Sequence, residues 1–318
     1  MKQRTIGNTG VTVSALGLGC NNFGLRIDPE ASRAVIDKAL DLGITFWDTA
    51  DVYGKRGGSE TCLGENLGPR RKDIFLASKF GGPMHAPEDK NGNMKGCSRR
   101  YIMQAVEASL KRLKTDWIDL YQMHRFDQQT PLEETMRALD DLVKQGKVRF
   151  IGFSTLVGWP FVDMQWTARQ LGTTPLTFCE SEYSILKRGA ELDLIPAMLK
   201  HGAQLLPYYP LAGGFLTGKY KRSAPLPEGA RITKGERYQG MFISDTNWTI
   251  LEKLEAFCAA RNRTLLDLAF CWLLAQPVIA TVIAGATKPE QLEANVRAVD
   301  WELTPAEVAE VNEISNKD

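Results

Sequence analysis

Residues 99–124 read RRYIMQAVEASLKRLKTDWIDLYQMH: a helical pattern of apolar positions, then a short apolar run that ends in polar residues, Gln122 and His124. The first part repeats its apolar residues at three- and four-residue spacing, and the second is the length of a buried strand. Working outward in both directions, the same unit recurs. A helical pattern from Pro29 to Leu42 precedes ITFW, one around Glu60–Leu67 precedes IFLASK, and TPLEETMRALDDLVKQG precedes VRFIGF. Further along, a Trp159–Leu171 helix precedes PLTFC, LDLIPAMLKHG precedes AQLLPYY, and Ser244 to Ala275, broken at Arg261-Asn262-Arg263, precedes PVIATVIAG.

The apolar runs begin at Leu16, Ile44, Ile74, Ile118, Val148, Leu176, Leu205 and Val278. Eight such runs separated by helices predict a (β/α)8 TIM barrel, an α/β fold that reaches this chain length as one domain, residues 1–318. Ahead of it, KQRTI and VTVS flank Gly7-Asn8-Thr9-Gly10, which predicts a short N-terminal β-hairpin. Caps are expected at Asp28-Pro29, at Thr130-Pro131 with Glu134, and at Thr304-Pro305 with Glu307. A doubly wound sheet would need a third glycine after Gly17-Leu18-Gly19, and Asn22 stands there instead.

Lys and Arg number 39 against 38 Asp and Glu, a balance that gives no electrostatic reason for a nucleic acid or an anionic membrane as partner. With 43% hydrophobic residues the chain can fill a large core, yet no run reaches the uninterrupted apolar length of a membrane span. The six cysteines are scattered singly, as reduced thiols in a cytoplasmic protein would be. His85, His124 and His201 are isolated, so no metal is expected. Oligomeric state is not readable.

Barrel chemistry sits at the C-terminal ends of the strands, so the residues ending each run are the candidates. They include Asn21-Asn22, Asp48, Ser78-Lys79, Gln122 with His124, Ser154, Glu180 and Tyr208-Tyr209. Singly, Asp48 reads as a strand-end cap, Lys79 as an ion pair, His124 as a core histidine and Tyr53 as a loop aromatic. On one rim they have a joint use. A lysine held by Asp48 is expected to lower the pKa of the Tyr53 phenol, which then donates a proton to an oxygen gaining negative charge, with His124 as a second donor.

The motifs DTADVYG (48–54), ASKFG (77–81) and YQMH (121–124) resemble, in order, the catalytic segments of the aldo-keto reductase family. The likeness runs from Arg4 to about Asn295 and implies a catalytic tetrad of Asp48, Tyr53, Lys79 and His124. It implies NAD(P)H-dependent interconversion of aldehydes or ketones with alcohols, NADP(H) favoured and NAD(H) admitted. GFST and PYYPLAGGFLTGKY resemble the family's cofactor loops, implying Ser154 at the carboxamide, Tyr208 against the ring, and Leu211, Gly213 and Leu216 at the pyrophosphate. IAGATKPEQLEANV resembles its adenosine-phosphate segment, implying Gly285, Thr287, Lys288, Gln291 and Asn295. The sequence departs from the family at Glu180, where a Gln is usual; an ionised Glu accepts but cannot donate, and its charge lies near the ring. Asn22, Phe23, Arg125 and Phe126 are the expected substrate contacts, a polar and aromatic mix suited to a hydroxylated or sugar-like carbonyl. The loops at 81–98 and 219–242 are expected to enclose the ligands. Channel-associated members keep the same barrel, so a cofactor-binding regulatory subunit is the alternative.

Overall fold

The computed structural model describes residues 1–84, 94–155 and 157–316. Residues 85–93, which hold His85 and much of the first expected enclosing loop, lie outside the described residues. Strands β1 (Gln3–Thr5) and β2 (Thr12–Ser14) pair antiparallel as the expected hairpin, with Gly7 and Gly10 at positive φ in its turn. Then follow β3 (Leu16–Gly19), α1 (Pro29–Asp41), β4 (Phe46–Asp48), α2 (Tyr53–Leu67), β5 (Phe75–Phe80), α3 (Arg99–Leu113), β6 (Ile118–Met123) and α4 (Leu132–Lys144). The second half holds β7 (Val148–Ser154), α5 (Gly158–Leu171), β8 (Phe178–Glu182), α6 (Leu194–His201), β9 (Gln204–Tyr208), α7 (Glu236–Phe242), α8 (Asp245–Ala259), α9 (Leu265–Leu274), β10 (Val282–Gly285), α10 (Pro289–Arg297) and α11 (Pro305–Ile314).

Strands β3 to β10 form one parallel sheet in the order β10-β3-β4-β5-β6-β7-β8-β9. It curls back on itself where Leu205 of β9 bridges to Ile279 just before β10, with the Leu205 N–H donating to Val278 O at 2.8 Å. This is the (β/α)8 barrel that the eight runs predicted.

Side chains alternate along each strand, and the alternation separates two cores. Trp47, Leu76, Tyr121, Ile151, Cys179 and Leu205 point outward into the layer between sheet and helices. Phe46, Phe75, Ala77, Leu120, Phe178 and Leu206 point inward, with Phe150 packed against them and stacked rings joining Phe46, Phe75 and Phe150. Ile6 and Val13 of the hairpin join this inner cluster and close the barrel's N-terminal end. The next inward residue on several strands is polar, which places Asp48, Lys79, Gln122, Ser154, Glu180 and Tyr208 as a layer above the aromatic floor.

The caps follow local chemistry with one exception. Asp28 accepts from Ala31 N at 2.8 Å ahead of Pro29, and Thr304 with Glu307 forms a reciprocal capping box. The capping box expected at Thr130 and Glu134 does not form. The Thr130 hydroxyl donates to Asp127 at 2.7 Å, Glu134 accepts from Arg99 N at 2.8 Å, and Pro131 takes the cap position. Both side chains find tertiary partners better placed than each other.

Candidate active site

Beside the polar layer lies a cleft of about 570 Å³. Its walls include Asn21, Asn22, Asp48, Tyr53, Glu180 and Tyr208 from the β3–β9 side, Leu211 and Gly213 from the turn after β9, and Gly285, Thr287, Lys288 and Gln291 from β10 and α10. The chain has been brought to this rim from five different strand ends, as a TIM barrel requires.

Lys79 is the pivot. It has no exposed surface, and its Nζ donates to both oxygens of Asp48 at 2.6 Å and to Thr49 O at 3.2 Å. The register explains the pairing: Asp48 faces Ala77 across the β4–β5 ladder, so Lys79 stands one inward position further along. A lysine without charge partners at that depth would lose its proton; here Asp48 and Glu180 outweigh burial and push its pKa up. Lys79 Nζ also lies 3.1 Å from Glu180 Oε2, and Gln122 Nε2 donates to that oxygen at 3.2 Å. Gly152 lies between them on β7, and a Cβ there would stand 3.2 Å from Gln122 Cγ. The missing side chain leaves Gln122 room to reach Glu180.

Tyr53 sits at the mouth of this group. Its ring centroid is 5.1 Å from Lys79 Nζ, and its ring meets His124 edge-on at 5.7 Å between centroids. The segment carrying it is tied to β5 by Thr49 N to Ala77 O at 2.9 Å and Asp51 N to Lys79 O at 3.1 Å. Thus three side chains from β4, β5 and the turn after β6 converge with Tyr53.

The electrostatics correct one expectation. Burial pushes the Tyr53 phenol upward, Asp48 and Glu180 add to it, and the Lys79 charge opposes without prevailing. Asp48 and Glu180 oppose the pull of Lys79, and with burial on their side Tyr53 stays protonated. A protonated phenol is the form that donates. Burial and the positive charges of Lys79 and Arg125 pull His124 down to about 3, which keeps the imidazole neutral. Its Nδ1 is buried with no partner among the described residues. Burial and then Glu180 push Asp48 up to about 7, against the pull of Lys79.

The remaining candidates fall into three groups. Ser154 is buried at the end of β7, in register with Glu180, and Tyr208 is half-buried on the cleft wall against Tyr209, ring centroids 5.4 Å apart. Phe23 and Leu216 have no exposed surface and belong to the core, and Asn295 is buried on α10; none of the three lines the cleft. Arg125 is exposed, and Phe126 packs at the rim against Phe153 and Trp159.

Arg26, Lys219 and Arg231 also line the cleft, the last two from the 219–242 loop expected to enclose the ligands, though nothing in their spacing singled them out as individual contacts. With Lys288 they make four cations, none in an ion pair among the described residues. Burial pulls Arg231 and Lys219 downward in pKa, and Arg26 adds to this at Arg231. Cations that no acid among the described residues pairs with suit an anionic ligand.

Other features fit a dinucleotide. Asn22 donates to Ala286 O at 3.0 Å, while its Oδ1 is buried with no partner among the described residues. Gly213 and Gly214 have φ of +68° and +99°, and Gly285 brings bare backbone to the wall. Thr155, Tyr209 and Ala212, at the ends of β7 and β9, hold φ of +65°, +54° and +48°, a region that costs non-glycine residues about 1 kcal/mol or more each. No three His, Cys, Asp or Glu side chains among the described residues are placed to hold a metal ion. No helix among them is long and apolar enough to cross a membrane.

Comparison with known proteins agrees with this geometry. The model of the Aldo/keto reductase family matches residues 15–316. An uncharacterized oxidoreductase, YrpG, of Bacillus subtilis is 36% identical, covering 99% of this chain and 96% of its own. The aldo-keto reductase yakc [NADP(+)] of Schizosaccharomyces pombe is 37% identical over 98% of this chain and 90% of its own. A probable voltage-gated potassium channel subunit beta of Arabidopsis thaliana is 32% identical over 94% and 92%. These matches support an oxidoreductase activity.

Proposed function

The chain belongs to the aldo/keto reductase family, and from that premise we propose that it interconverts an aldehyde or ketone with its alcohol, using NADP(H) in preference to NAD(H). The observation that carries the reading is the buried Lys79–Asp48 pair beneath a protonated Tyr53, at the edge of a cation-lined cleft.

A nicotinamide in the cleft would supply or accept the hydride. The chain's own part is the proton. In reduction Tyr53 gives its hydroxyl proton to the carbonyl oxygen as negative charge develops there, and in oxidation the same oxygen takes the proton back. His124, neutral, offers a ring N–H to that oxygen and orients it. Lys79 stabilises the tyrosinate left behind, and Asp48 keeps Lys79 charged and in place. Ser154, Glu180 and Tyr208 would take the ring end of a dinucleotide, and Leu211 and Gly213 with the cations Lys219 and Arg231 would face its phosphates. Thr287, Lys288 and Gln291 would take the adenosine end, and the lean to NADP rests on Lys288 as partner for a 2′-phosphate. Asn22 and Phe126 remain the candidates for substrate contact, which favours a carbonyl with further hydroxyl groups.

The test is consumption of NADPH and NADH against a panel of aldehydes, ketones and sugars, with the reverse oxidation, in wild type and Tyr53→Phe. The variant is expected to lose about 10²-fold or more of its turnover while cofactor still binds, because only the proton donor is gone. Near wild-type turnover in the variant would overturn the assignment. The channel-subunit relative gives a second reading, a cofactor-binding regulatory subunit. Cofactor bound tightly by a wild type with no turnover on any substrate class would favour it.

A further inference from the structure

Lys79 serves two acids. Asp48 binds it through both oxygens at 2.6 Å, and Glu180 reaches it at 3.1 Å while held from the other side by Gln122. Asp48 and Glu180 both line the cleft, and neither has more than a trace of exposed surface. Two carboxylates against one ammonium leave the cleft floor with one net negative charge when both acids are ionised, and a neutral His124 does not offset it. Nor can Glu180 turn away, since Lys79 and Gln122 both hold the same oxygen.

We propose that this uncompensated charge makes the cleft select the oxidised over the reduced nicotinamide dinucleotide, with Glu180 as the residue that sets the selection. The inference rests on the nicotinamide reading of the cleft. The oxidised ring carries a positive charge that the reduced ring lacks, while phosphates, riboses and adenine are common to both. In the ratio of the two dissociation constants those common contacts cancel, along with any titration of the 2′-phosphate. What remains is the field at the ring. In a site shielded from water a unit charge several ångströms away shifts such a ratio by roughly tenfold or more. A chain so biased holds the oxidised dinucleotide in the cleft in preference to the reduced one.

The same trio predicts a pH dependence. When the Asp48 carboxyl takes up a proton, the excess charge vanishes and the selection with it. Burial and Glu180 place the Asp48 carboxyl at about 7, so the change falls between pH 8 and 6. The other titratable groups against the trio do not change charge there. Burial keeps Tyr53, Tyr208 and the Cys20 thiol protonated, Lys79 stays charged, and His124 stays neutral.

The test is to measure dissociation constants for NADP+ and NADPH by calorimetry, in wild type and Glu180→Gln at pH 8, with circular dichroism as a check on folding. Glutamine keeps the shape and removes the charge. The ratio of reduced to oxidised dissociation constants should fall at least about fivefold in the variant. An unchanged ratio in a folded variant overturns the proposal while leaving the cofactor reading intact. Should the variant fail to fold, the wild type alone decides: its ratio must fall between pH 8 and pH 6, and a flat ratio overturns the proposal. If neither form binds wild type, the nicotinamide reading falls and this proposal with it.

Discussion

Lys79, from β5, places its Nζ 2.6 Å from both carboxylate oxygens of Asp48 on the neighbouring β4, and the two side chains are 0% and 5% exposed. The pair is deep enough to be costly if broken and close enough to the cleft to act on what binds there.

Removing the lysine charge should therefore damage fold and chemistry together. Lys79→Met leaves Asp48 and Glu180 buried without a counter-ion, a loss on the order of 3–5 kcal/mol in a urea titration. Adding Glu180→Gln to it takes out one of the stranded charges, so the double variant should recover part of that stability while remaining inactive. A double variant no more stable than Lys79→Met would show that the two acids do not share the lysine.

Asp51 makes a different prediction, about pH. It is buried, neither of its oxygens has a hydrogen-bond partner of good geometry among the described residues, and burial together with Glu60 pushes its carboxyl up to about 8 from an ordinary 3.8. Between those values the folded state holds a proton that the unfolded chain has released, so stability falls as pH rises through that window. From pH 6 to pH 8 the cost from this group is up to about 3 kcal/mol. Asp51→Asn should lose less stability than wild type over that interval in thermal melts, and parallel curves would refute the assignment.

The cations of the cleft predict how the cofactor is held. Arg231→Ala should weaken NADPH and NADH binding alike by about tenfold, and wild-type affinity should drop with added salt more steeply than the variant's. Lys288→Ala should weaken NADPH more than NADH. Equal losses for the two cofactors would remove Lys288 from the 2′-phosphate.

A last prediction concerns how α2 is seated behind the catalytic turn. Gly64 lies so close to α3 that an added Cβ would overlap the Arg112 carbonyl oxygen and stand 2.7 Å from the Leu113 carbonyl carbon. Backbone cannot yield there as a side-chain tip would. Gly64→Ala should cost about 1–3 kcal/mol or more by denaturant unfolding, despite alanine's better helix propensity. A gain in stability would mean the helices separate freely.

Much of the architecture was legible because a barrel repeats one signal. Each strand announced itself as a short apolar run between helical patterns, and Thr304 with Glu307 carried its cap within four residues. The Thr130–Glu134 cap failed for the opposite reason: Asp127 and Arg99 offered those side chains partners that local spacing does not reveal. At the site, the identities of Asp48, Tyr53, Lys79 and His124 could be read from strand ends and motifs. Arg26 could not, and Lys219 and Arg231 only as members of the enclosing 219–242 loop, because nothing in their neighbours distinguishes a cation facing a cleft from one facing solvent. Phe23 and Leu216 look no different in sequence from wall residues, and only packing shows that they are core.

By itself the sequence determined the number of β/α units, which strand ends carry polar groups, and the family. Those depend on residue type and spacing along the chain, which survive without coordinates. The tertiary structure decided the charge balance. Whether Lys79 lowers the pKa of Tyr53 depends on how many carboxylates already claim its charge, and Glu180 enters that count through the barrel register and the gap left by Gly152. Burial then sets the sign, because in a dry layer each proton's position is governed by distances of 2.6 to 3.2 Å that no linear spacing encodes.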